Sequence, residues 1–317
     1  MENQIIGHKK IIDFLNRGIR KNKISHAYLF EGSERIGKKL VALEFARAIQ
    51  DKGETTPNLS SLRKGINKTI PFSKKEINEA NPDLLIVNSE KGESISIGRI
   101  RELQSQLSLF PYSKKYKVAI IDGAEAMTRE AANSLLKTLE EPSVTTVIIL
   151  IVSSGENILP TIRSRCQTIK FLVPSVKELE DFLKERQKSD RETKQLIDFS
   201  CQRPGMIMDL LNNQELFEQQ KRDFEKFSKM INSGIFEKMN YAEEISREEF
   251  GRMESVLDLW TVFLRNSFLN CYGEGGGNKN LKQKITGIIK EIQKGKKLIL
   301  KKKANARMVL ENLLINC

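Results

Sequence analysis

Up to about residue 171 the chain alternates two hydrophobic patterns. Short continuous apolar runs predict strands buried on both faces, and stretches with apolar residues at helical spacing predict helices between them. Ile11, Ile12, Phe14, Leu15 and Ile19 mark a first helix, and Ala27-Tyr28-Leu29-Phe30 a first strand that enters a glycine loop. The helix after that loop carries Leu40, Val41, Leu43, Phe45, Ala46 and Ile49 inward. Residues 51–80 then turn polar around Pro57, Gly65 and Pro71 and read as an irregular insertion. A short strand over 84–87 follows Asn81-Pro82-Asp83, and an amphipathic helix spans 97–110, ending before Pro111. Val118-Ala119-Ile120-Ile121-Asp122 is an apolar strand closed by an acid. A helix over 129–141 places Ala132, Leu135, Leu136 and Leu139 inward, and a strand over 146–152 runs into Ser153-Ser154. Beyond Phe171 strand signals stop and the remainder reads as helical. The expected fold is therefore a P-loop α/β domain followed by helices.

Composition narrows this little, but it excludes some classes. With 317 residues, 39% of them hydrophobic, the chain suffices for two or three domains with a real core. Its first residues lack the basic and apolar regions of a signal peptide, and the nearly apolar run from Val144 to Val152 is too short to span a bilayer. The expectation is a cytoplasmic protein with no membrane contact. Cys166, Cys201, Cys271 and Cys317 lie at least 35 residues apart without any CxxC pair, which predicts reduced thiols rather than disulfides or zinc.

Charge is uneven. Of the net +12, a balance of +10 falls between Lys279 and Arg307, where ten lysines and one arginine face the single acid Glu291. Such a stripe attracts phosphate backbones, or it is the solvated face of a lysine-rich helix without aromatic residues to stack on bases.

The most distinctive chemistry is the loop Gly32-Ser33-Glu34-Arg35-Ile36-Gly37-Lys38-Lys39. It reproduces the phosphate-binding GxxxxGK[ST] pattern up to its last position, where lysine replaces the hydroxyl residue that holds Mg²⁺. Gly32 and Gly37 let backbone N–H groups face phosphate oxygens, the following helix directs its positive end at the same anion, and Lys38 would reach the β/γ-phosphates. Lys39 would bring a second cation, so phosphate binding without Mg²⁺ is expected while phosphoryl transfer is poorly supported. Asp122 is expected at the carboxyl edge of the sheet, where open α/β sheets bind ligands.

These pieces occur in order with Ile5-Ile6-Gly7-His8, Ser25-His26-Ala27-Tyr28-Leu29-Phe30, the run from Ala131 to Pro142 containing Lys137-Thr138-Leu139-Glu140-Glu141-Pro142, and Leu159-Pro160-Thr161-Ile162-Arg163-Ser164-Arg165-Cys166. Together they resemble the AAA+ family of bacterial DNA polymerase III clamp-loader subunits, the delta-prime type most closely, over roughly residues 1–210. The resemblance implies a RecA-like AAA+ domain (1–171), a small helical lid (172–213) and a helical collar (214–317) that joins gamma/tau- and delta-type subunits in a five-membered ring. It also implies action on a sliding clamp and primer–template DNA through that complex. Arg165 would be an arginine finger reaching a neighbour's ATP site, with Ser164 and Cys166 positioning it. An always-charged planar guanidinium suits charge spread over γ-phosphate oxygens.

Departures from a hydrolysing relative lie at Lys39, at Gly123 in place of a water-orienting acid, and at Pro204 where a lid arginine is expected. Arg203 stands next to that position, and Glu125 lies two residues beyond Gly123. The nucleotide site (Gly32, Gly37, Lys38, Asp122, Ser154) is thus expected to be degenerate, with no required cofactor, only weak ATP, ADP or phosphate binding, and no zinc. Ser153 and Ser154 read either as a sensor or as strand-capping hydroxyls. His8 falls in the adenine-side box of the resemblance, and His26 reads as a structural hydrogen-bonder. The competing readings are an ATP-hydrolysing AAA+ motor subunit, of gamma/tau type or a branch-migration helicase, and a stand-alone basic DNA-binding protein.

Overall fold

A computed structural model of the chain describes residues 5–50, 81–89, 93–112, 114–273, 279–300 and 304–316. Residues 51–80, where the zinc-free insertion was expected, lie outside the described residues.

The first unit runs through Phe182 and includes the short segment Arg203–Gly205. Its elements are α1 (Lys9–Arg20), β1 (Ala27–Glu31), α2 (Lys38–Gln50), β2 (Leu84–Asn88), α3 (Ile97–Ser108), β3 (Lys117–Asp122), α4 (Arg129–Glu140), β4 (Thr146–Val152), α5 (Pro160–Arg163) and β5 (Gln167–Lys170). Among the described residues the strands form one parallel sheet in the order β2-β3-β4-β1-β5.

Alternate side chains of each strand feed opposite faces. Phe30, Ile86, Ile120 and Ile149 pack beneath α2 with Val41 and Phe45, while Leu29, Ile121 and Leu150 pack with Ile100 and Leu103 of α3 and Leu135 and Leu139 of α4. Both faces are covered, which is why these strands read as unbroken apolar runs. The strands that carry the glycine loop, Asp122 and Ser153 all end at the same edge of the sheet.

One strand was missed and one boundary is corrected. Strand β5 went unread because it is only four residues long with Ile169 alone buried, whereas β2, the other edge strand, has four buried apolar residues. Helix α3 stops at Ser108 rather than at 110, with Leu109 already extended at φ −79°, ψ 146° and Phe110 held out of helical geometry by Pro111.

The helix α6 (Val176–Lys184) follows, and the second unit comprises Leu183–Gln202 and Met206–Cys317. Its helices are α7 (Asp190–Phe199), α8 (Pro204–Asn212, whose first two residues belong to the first unit), α9 (Gln214–Met230), α10 (Ile235–Ser246), α11 (Phe250–Gly273), α12 (Lys279–Leu300) and α13 (Ala306–Asn316). A capping box between Ser189 and Glu192 starts α7. The core of this unit centres on Trp260, fully buried and stacked on Phe227 at 4.6 Å, with Tyr241, Leu310 and Leu314 around them. This two-way division is coarser than the expected RecA-like, lid and collar domains.

Candidate functional site

The loop after β1 is built on unusual backbone. Gly32 has φ 157°, and a Cβ there would sit 2.5 Å from the Phe171 carbonyl oxygen. Gly37 has φ 100°, while a Cβ there would meet nothing within 4 Å, so its glycine answers to backbone conformation and leaves open space beside the start of α2. His8 props the loop from below. Its Nε2 lies 2.7 Å from the Ile36 carbonyl oxygen, and its ring meets Phe171 edge-on at 5.0 Å. Burial lowers the His8 pKa from the ordinary histidine value, partly opposed by the Ile36 hydrogen bond and by Glu178.

The two lysines of the loop diverge, contrary to the expectation of two cations crowding one anion. Lys38 is buried, and its Nζ donates to the carbonyl oxygens of Gly32 and, at 2.7 Å, of Ser33. Burial lowers its pKa, while Glu125, Glu34 and Asp122 push it back up and Arg203 lowers it further. Lys39 turns instead to the sheet edge, where its Nζ pairs with Asp122 Oδ2 at 3.1 Å and donates to Asn88 Oδ1 at 3.1 Å. Asn88 and Asp122 are register partners on β2 and β3. Asn88 was missed from sequence, although it closes its strand as Asp122 closes the next. A divalent ion of the kind such loops hold does not fit this arrangement, because an ammonium already occupies the contact with Asp122.

The position after Asp122 has a backbone conformation that favours glycine. Gly123 sits at φ 74°, and a Cβ there would lie 2.3 Å from Ser89 Oγ. Glu125 turns back to β4, where its Oε1 accepts from Ser153 N at 2.8 Å and from Ser153 Oγ at 2.5 Å. Its Oε2 is buried without a hydrogen-bond partner. Ser154 Oγ accepts from Glu156 N at 3.3 Å and caps the short turn Gly155–Asn157. Pro204 opens α8, where its missing N–H costs nothing, and Gly205 N donates to the Arg35 carbonyl oxygen at 2.7 Å. Arg203 is thereby close enough to Lys38 to affect its proton affinity.

A second group surrounds α5. Arg165 Nη2 pairs with Glu140 Oε1 at 2.7 Å, and its Nη1 donates to the Thr161 carbonyl oxygen at 2.9 Å and lies 3.5 Å from Ser164 Oγ. Ser164 Oγ donates to the same Thr161 carbonyl at 3.0 Å, so both side chains are anchored on one turn. Cys166 packs against the apolar core, and burial pushes its thiol up to about 12, so it stays protonated and serves packing. Arg163 faces Glu31 at 3.7 Å. The structure thus gathers Gly32, Gly37, Lys38 and Asp122 around the loop, and holds Ser164, Arg165 and Cys166 in a separate group with Glu140. Glu140 had been visible only as part of a motif.

His26 departs from expectation, its Nε2 being buried without a hydrogen-bond partner. In the basic stripe, Lys296 bridges Glu254 and Asp258 at 2.8 Å each, and Arg307 pairs with Glu243 at 3.1 Å and Glu311 at 2.8 Å. Lys284, Lys290 and Lys294 are exposed, and Lys301, Lys302 and Lys303 lie outside the described residues. Among the described residues no helix is long and apolar enough to cross a membrane.

A parallel sheet flanked by helices, with a glycine loop after its first strand and an acid ending its third, defines an α/β protein of the P-loop class. The fold is shared with the Thermotoga maritima RuvB Holliday junction branch migration motor, at 13% identity and a TM-score of 0.50, covering 83% of this chain and 88% of that one. Residues 7–175 match the family model described as DNA polymerase III, delta subunit, and the chain belongs to that family. It is 37% identical over 178 residues to DNA polymerase III subunit delta′ of Bacillus subtilis, covering 56% of this chain and 51% of that protein. It is 30% identical over 184 residues to DNA polymerase III subunit gamma of Buchnera aphidicola subsp. Schizaphis graminum, covering 57% and 47%. The chain spans about half the length of these curated relatives.

Proposed function

We propose that the chain is a delta-prime-type subunit of a replicative clamp loader that does not hydrolyse ATP and supplies Arg165 to a neighbouring subunit's nucleotide. The observation that carries this is the pairing of Lys39 with Asp122, at 3.1 Å, at the place where a hydrolysing relative holds its metal. Family membership supports the loader context, and Gly123 supports the loss of hydrolysis. Arg165 remains about one-third exposed and is oriented by Glu140, Thr161 and Ser164, which suits a group that acts outside its own site. In this proposal residues 1–171, 172–213 and 214–317 act as AAA+ domain, lid and collar. The partners are gamma/tau- and delta-type subunits in a five-membered ring, a sliding clamp and primer–template DNA, in the cytoplasm. The glycine loop binds ATP, ADP or phosphate at most weakly and without Mg²⁺.

A motor subunit would need a metal-binding residue at 39 and an acid at 123. A stand-alone DNA-binding protein is weakened by the intrachain pairing of Lys296 and Arg307. Two assays on purified protein test the proposal. The isolated chain is expected to show no ATP turnover above background, and to co-purify with gamma/tau- and delta-type loader subunits. Turnover abolished by Lys38→Ala, or failure to assemble with those subunits, would refute it.

A further inference from the structure

Lys39 does more than remove a metal ligand. It leaves the first turn of α2, reaches the carboxyl ends of β2 and β3, and contacts the side chains of the register partners Asn88 and Asp122 at once. We propose that Lys39 is a tethered replacement for the divalent ion, clasping the phosphate-loop helix to the sheet edge permanently and without metal.

An ammonium offers three donors and a full positive charge, enough to satisfy one carboxylate oxygen and one amide oxygen. Its covalent tether gives it an effective concentration on the order of millimolar, which a free ion must outcompete at a carboxylate already neutralised. Finally, the neighbouring cation is accommodated elsewhere, since Lys38 is turned onto the carbonyl oxygens of Gly32 and Ser33. The junction adds a polar clasp to the apolar packing of α2 on the sheet through Val41 and Phe45. The inference stands apart from the role proposed for Arg165, and its test needs no partner subunit and no ATP turnover.

The test is thermal unfolding of the full chain in MnCl₂ and in EDTA, with Mn²⁺ binding followed by electron paramagnetic resonance. Wild type should melt at the same temperature in both and bind no Mn²⁺ through Asp122. Lys39→Ser should melt about 2–4 °C lower in EDTA, the shift that loss of a modest ion pair produces in a unit of this size. Mn²⁺ should recover part of that loss, and Asp122→Asn in the Lys39→Ser background should abolish the recovery. Asp122-dependent Mn²⁺ binding by wild type, an unchanged melting temperature for Lys39→Ser, or the absence of Asp122-dependent recovery would each overturn the proposal. Should Lys39→Ser fail to fold, Lys39→Arg decides it. That variant keeps the cation and must remain blind to Mn²⁺, and a metal response from it would contradict the tethered-cation role.

Discussion

At the scale of single residues, identity and orientation carry different information. The substitution of lysine for a hydroxyl at position 39 was plain from the sequence, but where the ammonium goes was not. A long, flexible side chain next to an anion-binding loop has several charged neighbours to choose from, and Asn88 and Asp122 come together only through the register of β2 and β3. The same holds for Arg165, whose partner Glu140 lies 25 positions earlier in the chain and meets it only once α4 and α5 are packed. His8 gives a residue-scale prediction with a definite sign. Its pKa is lowered by burial, so the folded loop favours neutral imidazole. The stability tied to that preference is complete above the unfolded value of about 6.5 and is lost as pH falls from there through the lowered folded value. Urea unfolding between about pH 7 and pH 5 should therefore show wild type losing stability more steeply than His8→Gln. Parallel profiles for the two proteins would exclude His8 as the titrating group.

At the scale of elements, the central strands and their covering helices were legible because burial on both faces leaves a continuous apolar signature. Strand β5 was not, because an edge strand of four residues with only Ile169 buried has no such signature. The turn after β3 shows how an element's backbone can strain a substitution. Gly123 at φ 74°, with Ser89 Oγ 2.3 Å from its notional Cβ, accepts a glutamate only with left-handed backbone strain and rotation of the Ser89 hydroxyl. The double variant Lys39→Ser/Gly123→Glu, which reverses two of the three departures by sequence, is accordingly expected to lose about 1–3 kcal/mol of stability and to remain without turnover. Denaturant unfolding and an ATPase assay check this. A stable double variant with metal-dependent turnover would show that the turn adapts and that the degeneracy is only two residues deep.

At the scale of the whole molecule, the central strands and covering helices of the first unit could be read from sequence, since its motifs are local and these strands are apolar. The helical second unit offered composition but few landmarks, and its ion pairs join residues far apart in the chain, as Lys296 does with Glu254 and Asp258. That pairing also explains why a local excess of lysine overstates the charge available to a partner. The proposed role combines loss of intrinsic hydrolysis with completion of a neighbour's site. The most direct measurement is the single-turnover ATP hydrolysis rate at the site beside this subunit in a reconstituted loader, comparing wild type with Arg165→Ala and Arg163→Ala. Arg165→Ala should assemble normally and slow that site by about 10³- to 10⁵-fold, the usual worth of an arginine finger, with Arg163→Ala doing far less. An unchanged rate at that site with Arg165→Ala, in a loader that assembles fully, would contradict the claim.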